Sequence, residues 1–175
     1  MRLIKLRKIE KTKKMKPIYI ALGANLSNKK AAFIKALEAL EGEGVKPVSV
    51  SGLWQSPSWP PGQGHPDYLN AAARVDYGGT APQLLSILQA VETDFGRIPT
   101  ERNAPRPLDL DILDFRGQVL NSENLTLPHP RMHERGFVLF PLAQIAPDWH
   151  DPVSGKSIDH YIARLPLGDV EPMAY

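Results

Sequence analysis

The run Leu108-Asp109-Leu110-Asp111-Ile112 alternates apolar and acidic residues with a period of two. Alternation of that kind belongs to a β-strand with one face in a core and the other outside it. A helix would scatter the same residues around its axis, so this segment commits the chain to a sheet. Within a strand, residues two apart point the same way, so the carboxylates of Asp109 and Asp111 stand about 7 Å apart on one face.

Other strands and helices follow from the same patterning. Ile18 to Leu22 reads as a short buried strand, ended by Gly23 and the turn formers Asn25, Ser27 and Asn28. Phe33, Leu37 and Leu40 recur at helical spacing, with Ser27 or Asn28 as cap and Gly42 and Gly44 as stop. Val48 to Trp54 predicts a second strand. Four prolines and two glycines between Ser56 and Pro66 predict a long exposed loop. Leu69 to Tyr77 predicts a third strand, and Thr80 caps a helix carrying Leu84, Leu88, Val91 and Phe95. After the Asp109-Asp111 strand, Arg116-Gly117 turns towards Gln118 to Leu120, and helices are expected over 137–145 and 157–165. The resulting order, β-α-β-β-α-β, predicts an α+β fold: a ferredoxin-like antiparallel sheet with both helices on one face, plus C-terminal helical additions.

The 175 residues, 42% hydrophobic, suffice for one core and not two, which predicts a single domain over 17–175. Residues 1–16 carry eight Lys or Arg against Glu10 alone, a local charge of +7 that leaves −5 for the rest of a chain at +2 overall. The leader is expected to be a disordered tail, and the acidic body argues against general nucleic-acid binding. No run reaches the roughly 20 apolar residues of a membrane helix, and the first residues lack a secretory signal core. Together with the absence of cysteine, this predicts a cytoplasmic protein without disulfides or thiolate chemistry.

On the aspartate pair alone, a solvated strand face is the commoner reading. Its surroundings favour another, because Arg97, Arg102 and Arg106 lie just before it on a loop broken by Pro99, Pro105 and Pro107. Guanidinium forks match phosphate oxygens, and a hard cation such as magnesium bridges carboxylates to the same phosphates. Internal salt bridging by these arginines is the alternative. His129, between Pro128 and Pro130, could donate to phosphate, ligate metal, or make one local hydrogen bond. His129 and His133 resemble a zinc pair, but Pro130 and the missing Glu after His129 disfavour it. Trp59, Tyr68, Asn70 and Phe137 could line a slot for a flat heterocycle, or simply fill a core. Gly155-Lys156-Ser157 lacks the first glycine of a P-loop, and Gly62 and Gly64 lack the third of a dinucleotide fingerprint.

Four blocks together resemble the 6-hydroxymethyl-7,8-dihydropterin pyrophosphokinase family: Ala21-Leu22-Gly23-Ala24-Asn25-Leu26, Pro66-Asp67-Tyr68-Leu69-Asn70-Ala71, Pro105 to Ile112, and Pro128-His129 followed by Arg135-Gly136-Phe137. The resemblance covers about Ile18 to Pro147. It implies transfer of pyrophosphate from ATP to the pterin hydroxymethyl group, with release of AMP and no covalent intermediate, as a step of folate synthesis by a monomer. It implies two Mg2+ held by Asp109 and Asp111, with Arg97 and Arg106 steadying phosphate and both pairs counted as catalytic. ATP contacts would also come from Leu85, Gln89, Glu92, Arg102, Ile112, Thr126, His129 and Arg135, and pterin contacts from Ser56, Pro57, Trp59, Tyr68, Asn70 and Phe137. Residues 98–104 lack an Arg and a Trp-Gly pair frequent in the family, Pro130 replaces a frequent Tyr, and Trp59 stands where an aliphatic residue is common. The competing readings are a nucleic-acid binder acting through the leader and a metal-dependent phosphohydrolase using Asp109, Asp111, His129 and His133.

Overall fold

A computed structural model describes residues 16–26, 28–58, 64–97, 105–166, 168 and 170–173. Residues 1–15 of the predicted leader, Trp59, Gly62, Arg102 and the departing segment 98–104 lie outside them. Strand β1 (Ile18–Ala24) is an interior strand of an antiparallel sheet, pairing on one side with β4 (Tyr68–Asp76) and on the other with β5 (Asp109–Phe115). Its residues alternate between two apolar layers. Ile18, Ile20, Leu22 and Ala24 enter one with Leu69, Ala71, Ala73, Val75, Leu108, Leu110 and Ile112, whereas Tyr19 joins a second with Ala72 and Leu113.

Helices α1 (Lys29–Gly42) and α2 (Ala81–Asp94) cover the first layer through Phe33, Ala36 and Leu40 and through Leu84, Leu88 and Val91. Asn28 caps α1 by accepting from Ala31 N at 3.2 Å. Thr80 caps α2, as the sequence predicts, and does so in a reciprocal capping box with Gln83. Helix α3 (Gly136–Ile145) covers the second layer with Val138, Leu139 and Leu142, backed by Met132, Trp149 and Ile158. The aspartates therefore share a sheet face with α3, not with α1 and α2.

Several boundaries differ from the sequence reading. The expected strand from Val48 to Trp54 is two strands, β2 (Lys46–Val50) and β3 (Trp54–Ser56), both paired with β4. Between them the Ser51 hydroxyl accepts from Ala72 N at 2.9 Å, taking the place of a ladder carbonyl, and Gly52 N turns to Gln144 Oε1 at 2.9 Å. Val50 opposes Ala73 while Trp54 opposes Asn70, so one extra residue lies on the β2–β3 side and the pleat phase is reset. Ser56, expected in the exposed loop, ends β3 and is buried. Of the Gln118 to Leu120 segment only Leu120 is strand, in β6 (Leu120–Asn121), which pairs with β7 (Thr126–Leu127) apart from the main sheet. The helix expected over 157–165 is the five-residue α4 (Ile158–Ile162). Strand β8 (Glu171–Pro172), which the sequence reading lacks, adds to β3 and completes the order β5-β1-β4-β3-β8, with β2 also on β4.

Candidate active site

Gly23 stands at the centre of a row that crosses three strands, opposite Asp109 on β5 and Asn70 on β4. A Cβ at Gly23 would touch both neighbours, 3.7 Å from Asp109 Cβ and 3.9 Å from Asn70 Oδ1. The missing side chain leaves a shallow floor between them. Asn70 is buried, and its Nδ2 donates to Trp54 O at 3.2 Å and Ser56 Oγ at 3.0 Å. Both amide hydrogens are thereby committed, which turns Oδ1 towards the floor.

On the other side of Gly23 the carboxylates and arginines meet. Asp109 Oδ1 accepts from Arg106 Nη1 at 2.6 Å and lies 3.3 Å from Arg97 Nη1. Arg97 also pairs with Glu92, whose Oε1 accepts from Leu110 N at 2.7 Å. Glu92 is 2% exposed, and burial pushes its carboxyl above the usual range against the opposing pull of that hydrogen bond and of Arg97. Its carboxylate therefore links α2, β5 and Arg97.

Asp111 is differently placed. Among the described residues its ion-pair partner is His129, with Nε2 3.8 Å from Oδ2. Crowding by protein, then the like charge of Asp109, raises the Asp111 pKa. Burial lowers that of His129 more than Asp111 raises it. His129 Nδ1 accepts from Arg131 N at 3.2 Å, which leaves the proton of the neutral ring on Nε2, facing Asp111. The ring is anchored by His129 N donating to Leu113 O at 2.9 Å. Arg135, half-buried at the start of α3, feels both aspartates, and its guanidinium carbon lies 5.5 Å from the Phe137 ring centre.

The remaining expected residues fall into three groups. Tyr68 is half-buried, its hydroxyl pKa raised by burial and influenced by Arg106, Asp109 and Arg97, so it belongs with the arginine cluster as well as with Asn70. Leu85 and Gln89 sit seven and three residues before Glu92, on the same stripe of α2. Thr126 is half-buried in β7, Pro57 is exposed after β3, and Ile112 is buried on the opposite face from Asp111. His133 does not join His129: its Nε2 is 3.8 Å from Asp151 Oδ2 and its ring packs on Tyr161.

Two features were missed by the sequence reading. Trp54 stacks on Phe140 with centroids 5.3 Å apart and an interplanar angle of 11°, beside Asn70 on the site face. Only the extra residue between β2 and β3 puts it there, and no sequence signal marks that bulge. Asn25 is 1% exposed and holds both the Arg106 and Pro66 segments by hydrogen bonds. Its place in a turn-forming run was the available signal.

Among the described residues no three His, Asp or Glu side chains gather to hold a metal ion. The aspartate pair, with Asp111 facing a neutral imidazole, still fits a hard cation that takes its other oxygens from phosphate and water. Fold and site together define the class: an α+β domain whose carboxylates and guanidinium groups meet on one sheet face.

The chain belongs to the 7,8-dihydro-6-hydroxymethylpterin-pyrophosphokinase (HPPK) family, which matches residues 19–147. It is 38% identical over 157 residues to the folic acid synthesis protein fol1 of Pneumocystis carinii, covering 89% of this chain and 21% of that one. It therefore spans about a fifth of that relative's length. The 2-amino-4-hydroxy-6-hydroxymethyldihydropteridine pyrophosphokinase of Pseudomonas aeruginosa is 38% identical over 155 residues, 88% of this chain and 94% of that enzyme. The same fold recurs in Plasmodium falciparum HPPK-DHPS wild type with pteroate, at a TM-score of 0.66 and 12% identity over 86% of this chain and 42% of that one. No helix among the described residues is long and apolar enough to cross a membrane.

Proposed function

We propose that this chain transfers pyrophosphate from ATP to the hydroxymethyl group of 6-hydroxymethyl-7,8-dihydropterin, releasing AMP without a covalent intermediate. The observation that carries this reading is the Asp109–Gly23–Asn70 row. Two strand spacings separate its ends, about 10 Å, which suits a phosphate group at one end and a flat heterocycle at the other. The family's name supports the pterin as acceptor, and the guanidinium groups beside Asp109 support a nucleotide phosphate as donor.

The pterin oxygen bonds to the β-phosphorus of ATP as the bond to the α–β bridging oxygen breaks. AMP leaves with that oxygen, and the alcohol proton passes to water. Such a transfer needs positioning and charge neutralisation more than protein nucleophiles. Arg97 and Arg106, now shared with Asp109, would turn their remaining donors to phosphate, with Glu92 holding Arg97 in place. His129 would donate its Nε2 proton to an ATP oxygen, and Arg135 would neutralise another. Arg102 and Thr126 would complete the phosphate side, with Leu85 and Gln89 around the nucleotide and Ile112, its side chain in the core, offering only its main chain.

Asn70 would read the pterin edge through Oδ1. Phe137, Tyr68 and Trp59 would hold the ring's faces, with Ser56 and Pro57 closing the slot. Asp109 and Asp111 would hold two Mg2+, which supply phosphate charge neutralisation and a lowered pKa for a bound hydroxyl. The strand order and the two helices on one face support a ferredoxin-like reading of the sheet. We further take the working unit to be a cytoplasmic monomer, one domain over 17–175 with 1–16 as a dispensable leader, binding neither nucleic acid nor membrane.

The test incubates the protein with Mg2+, ATP and the pterin alcohol and identifies the nucleotide product. AMP formed only with pterin present is the expected result. ADP, or phosphate released without pterin, overturns the reading.

A further inference from the structure

The C-terminal strand touches both halves of the proposed pterin slot, although the sequence gives it no chemistry. β8 pairs with β3 at Trp54–Pro172 and Gln55–Glu171, and Met173 N donates to Leu53 O at 2.9 Å. Just before it, Val170 reaches across to the first turn of α3. A Cβ placed on Gly136 would lie 3.2 Å from Val170 Cγ2 and 3.5 Å from Leu165 Cδ1, so the approach is close because residue 136 is glycine.

The two elements joined in this way carry different parts of the slot. β3 contributes Ser56 and the Trp54 carbonyl, which orient Asn70, while α3 starts at Gly136 between Arg135 and Phe137. β3 is only three residues long, and without β8 it would be the edge of the sheet. A strand that short is held in place by its neighbours rather than by its own hydrogen bonds. β8 is itself two exposed residues, so it adds little buried apolar surface and acts by ordering its partner.

We propose that β8 is a positioning strap for the pterin side of the site: by pairing with β3 while Val170 seats on Gly136, it sets the gap between Asn70 and Phe137. The inference rests on the pterin reading above. It predicts a selective effect, because neither Arg97, Arg106, Asp109 nor Asp111 lies on an element that β8 pairs with.

The test compares the full chain with Met173→Pro, which removes the donor to Leu53, and with Val170→Gly, which removes the contact at Gly136. Expected is a rise of roughly three- to tenfold in KM for the pterin alcohol, the scale of ordering a few groups on binding. KM for ATP and the melting temperature should stay near wild type, and the direct Kd for the pterin, measured with Mg2+ and a non-hydrolysable ATP analogue, should rise in step. Unchanged pterin KM in both variants, or parallel losses for both substrates, overturns the strap. Failure of the wild-type chain to bind the pterin instead overturns the functional reading and the strap with it.

Discussion

Asn25 grips Arg106 at both ends of its backbone: the Arg106 N–H donates to Asn25 Oδ1 at 2.8 Å, and the Arg106 carbonyl accepts from Asn25 N at 3.2 Å. The same side chain donates from Nδ2 to Pro66 O at 3.3 Å. One buried amide thus ties the arginine loop and the loop before Tyr68 to the end of β1. Asn25→Ala keeps the main-chain bond from Asn25 N but removes the side-chain partners of Arg106 N and Pro66 O, which costs about 1 kcal/mol per hydrogen bond. The expected outcome is a lower denaturation midpoint together with a raised KM for ATP. A variant with wild-type ATP KM would show that the grip does not position Arg106.

Glu92 offers a way to separate folding from function at one residue. Its Oε1 serves both Leu110 N and Arg97. Glu92→Gln retains an acceptor for Leu110 but loses the charge that holds Arg97, whereas Glu92→Ala loses both. The Gln variant should therefore melt near wild type while turnover falls, on the order of tenfold for one misplaced phosphate-binding group. The Ala variant should lose stability as well. Equal melting of the two variants, measured by thermal denaturation, would contradict the assignment of Oε1 to Leu110.

Much of this was legible in the sequence because period-two patterning in Leu108 to Ile112 and Leu69 to Tyr77 fixes both the strands and the face on which Asp109, Asp111 and Asn70 lie. The four matching blocks bring those residues to one face, since β1 pairs with both β4 and β5. Trp54 was not legible. Its face depends on one extra residue stabilised by the Ser51 hydroxyl and by Gln144, which is 92 positions from Gly52. The short β8 was invisible for a related reason: two exposed residues carry no periodicity, and only the neighbouring β3 makes them a strand.

Away from the site, Asp114 predicts a pH dependence with an optical readout. It is buried, accepts from Trp149 Nε1 at 2.9 Å and Gly117 N at 2.6 Å, and burial still raises its pKa over these hydrogen bonds. A folded pKa above the unfolded one means that the native state holds the proton more tightly. Stability from this group is then present below the ordinary aspartate range, about 3.9, and declines as pH rises through the folded value. Asp114→Asn should remove that part of the decline, read as the difference in urea midpoint against pH. Trp149 fluorescence should titrate over the same window in the wild type alone. An Asn variant with the same slope and the same titration would rule the group out.

Asp111 should show the opposite demands of folding and chemistry. Its carboxyl pKa is raised first by burial and then by Asp109, while the neutral His129 ring at 3.8 Å compensates only weakly. The sign is therefore that of Asp114: the ligand-free protein loses stability as pH rises from the ordinary aspartate value through the folded one. Asp111→Asn removes a carboxylate charge that Asp109 repels, so the ligand-free variant should melt slightly above the wild type at neutral pH. Turnover should fall by about a thousandfold or more, as when a principal electrostatic group of a transfer site is lost. Mg2+ with a non-hydrolysable ATP analogue should then reverse the order, raising the wild-type melting temperature and leaving the variant almost unmoved. A ligand-free variant that melts below the wild type would mean that the carboxylate is satisfied by its neighbours, and near-normal turnover would remove Asp111 from the metal site.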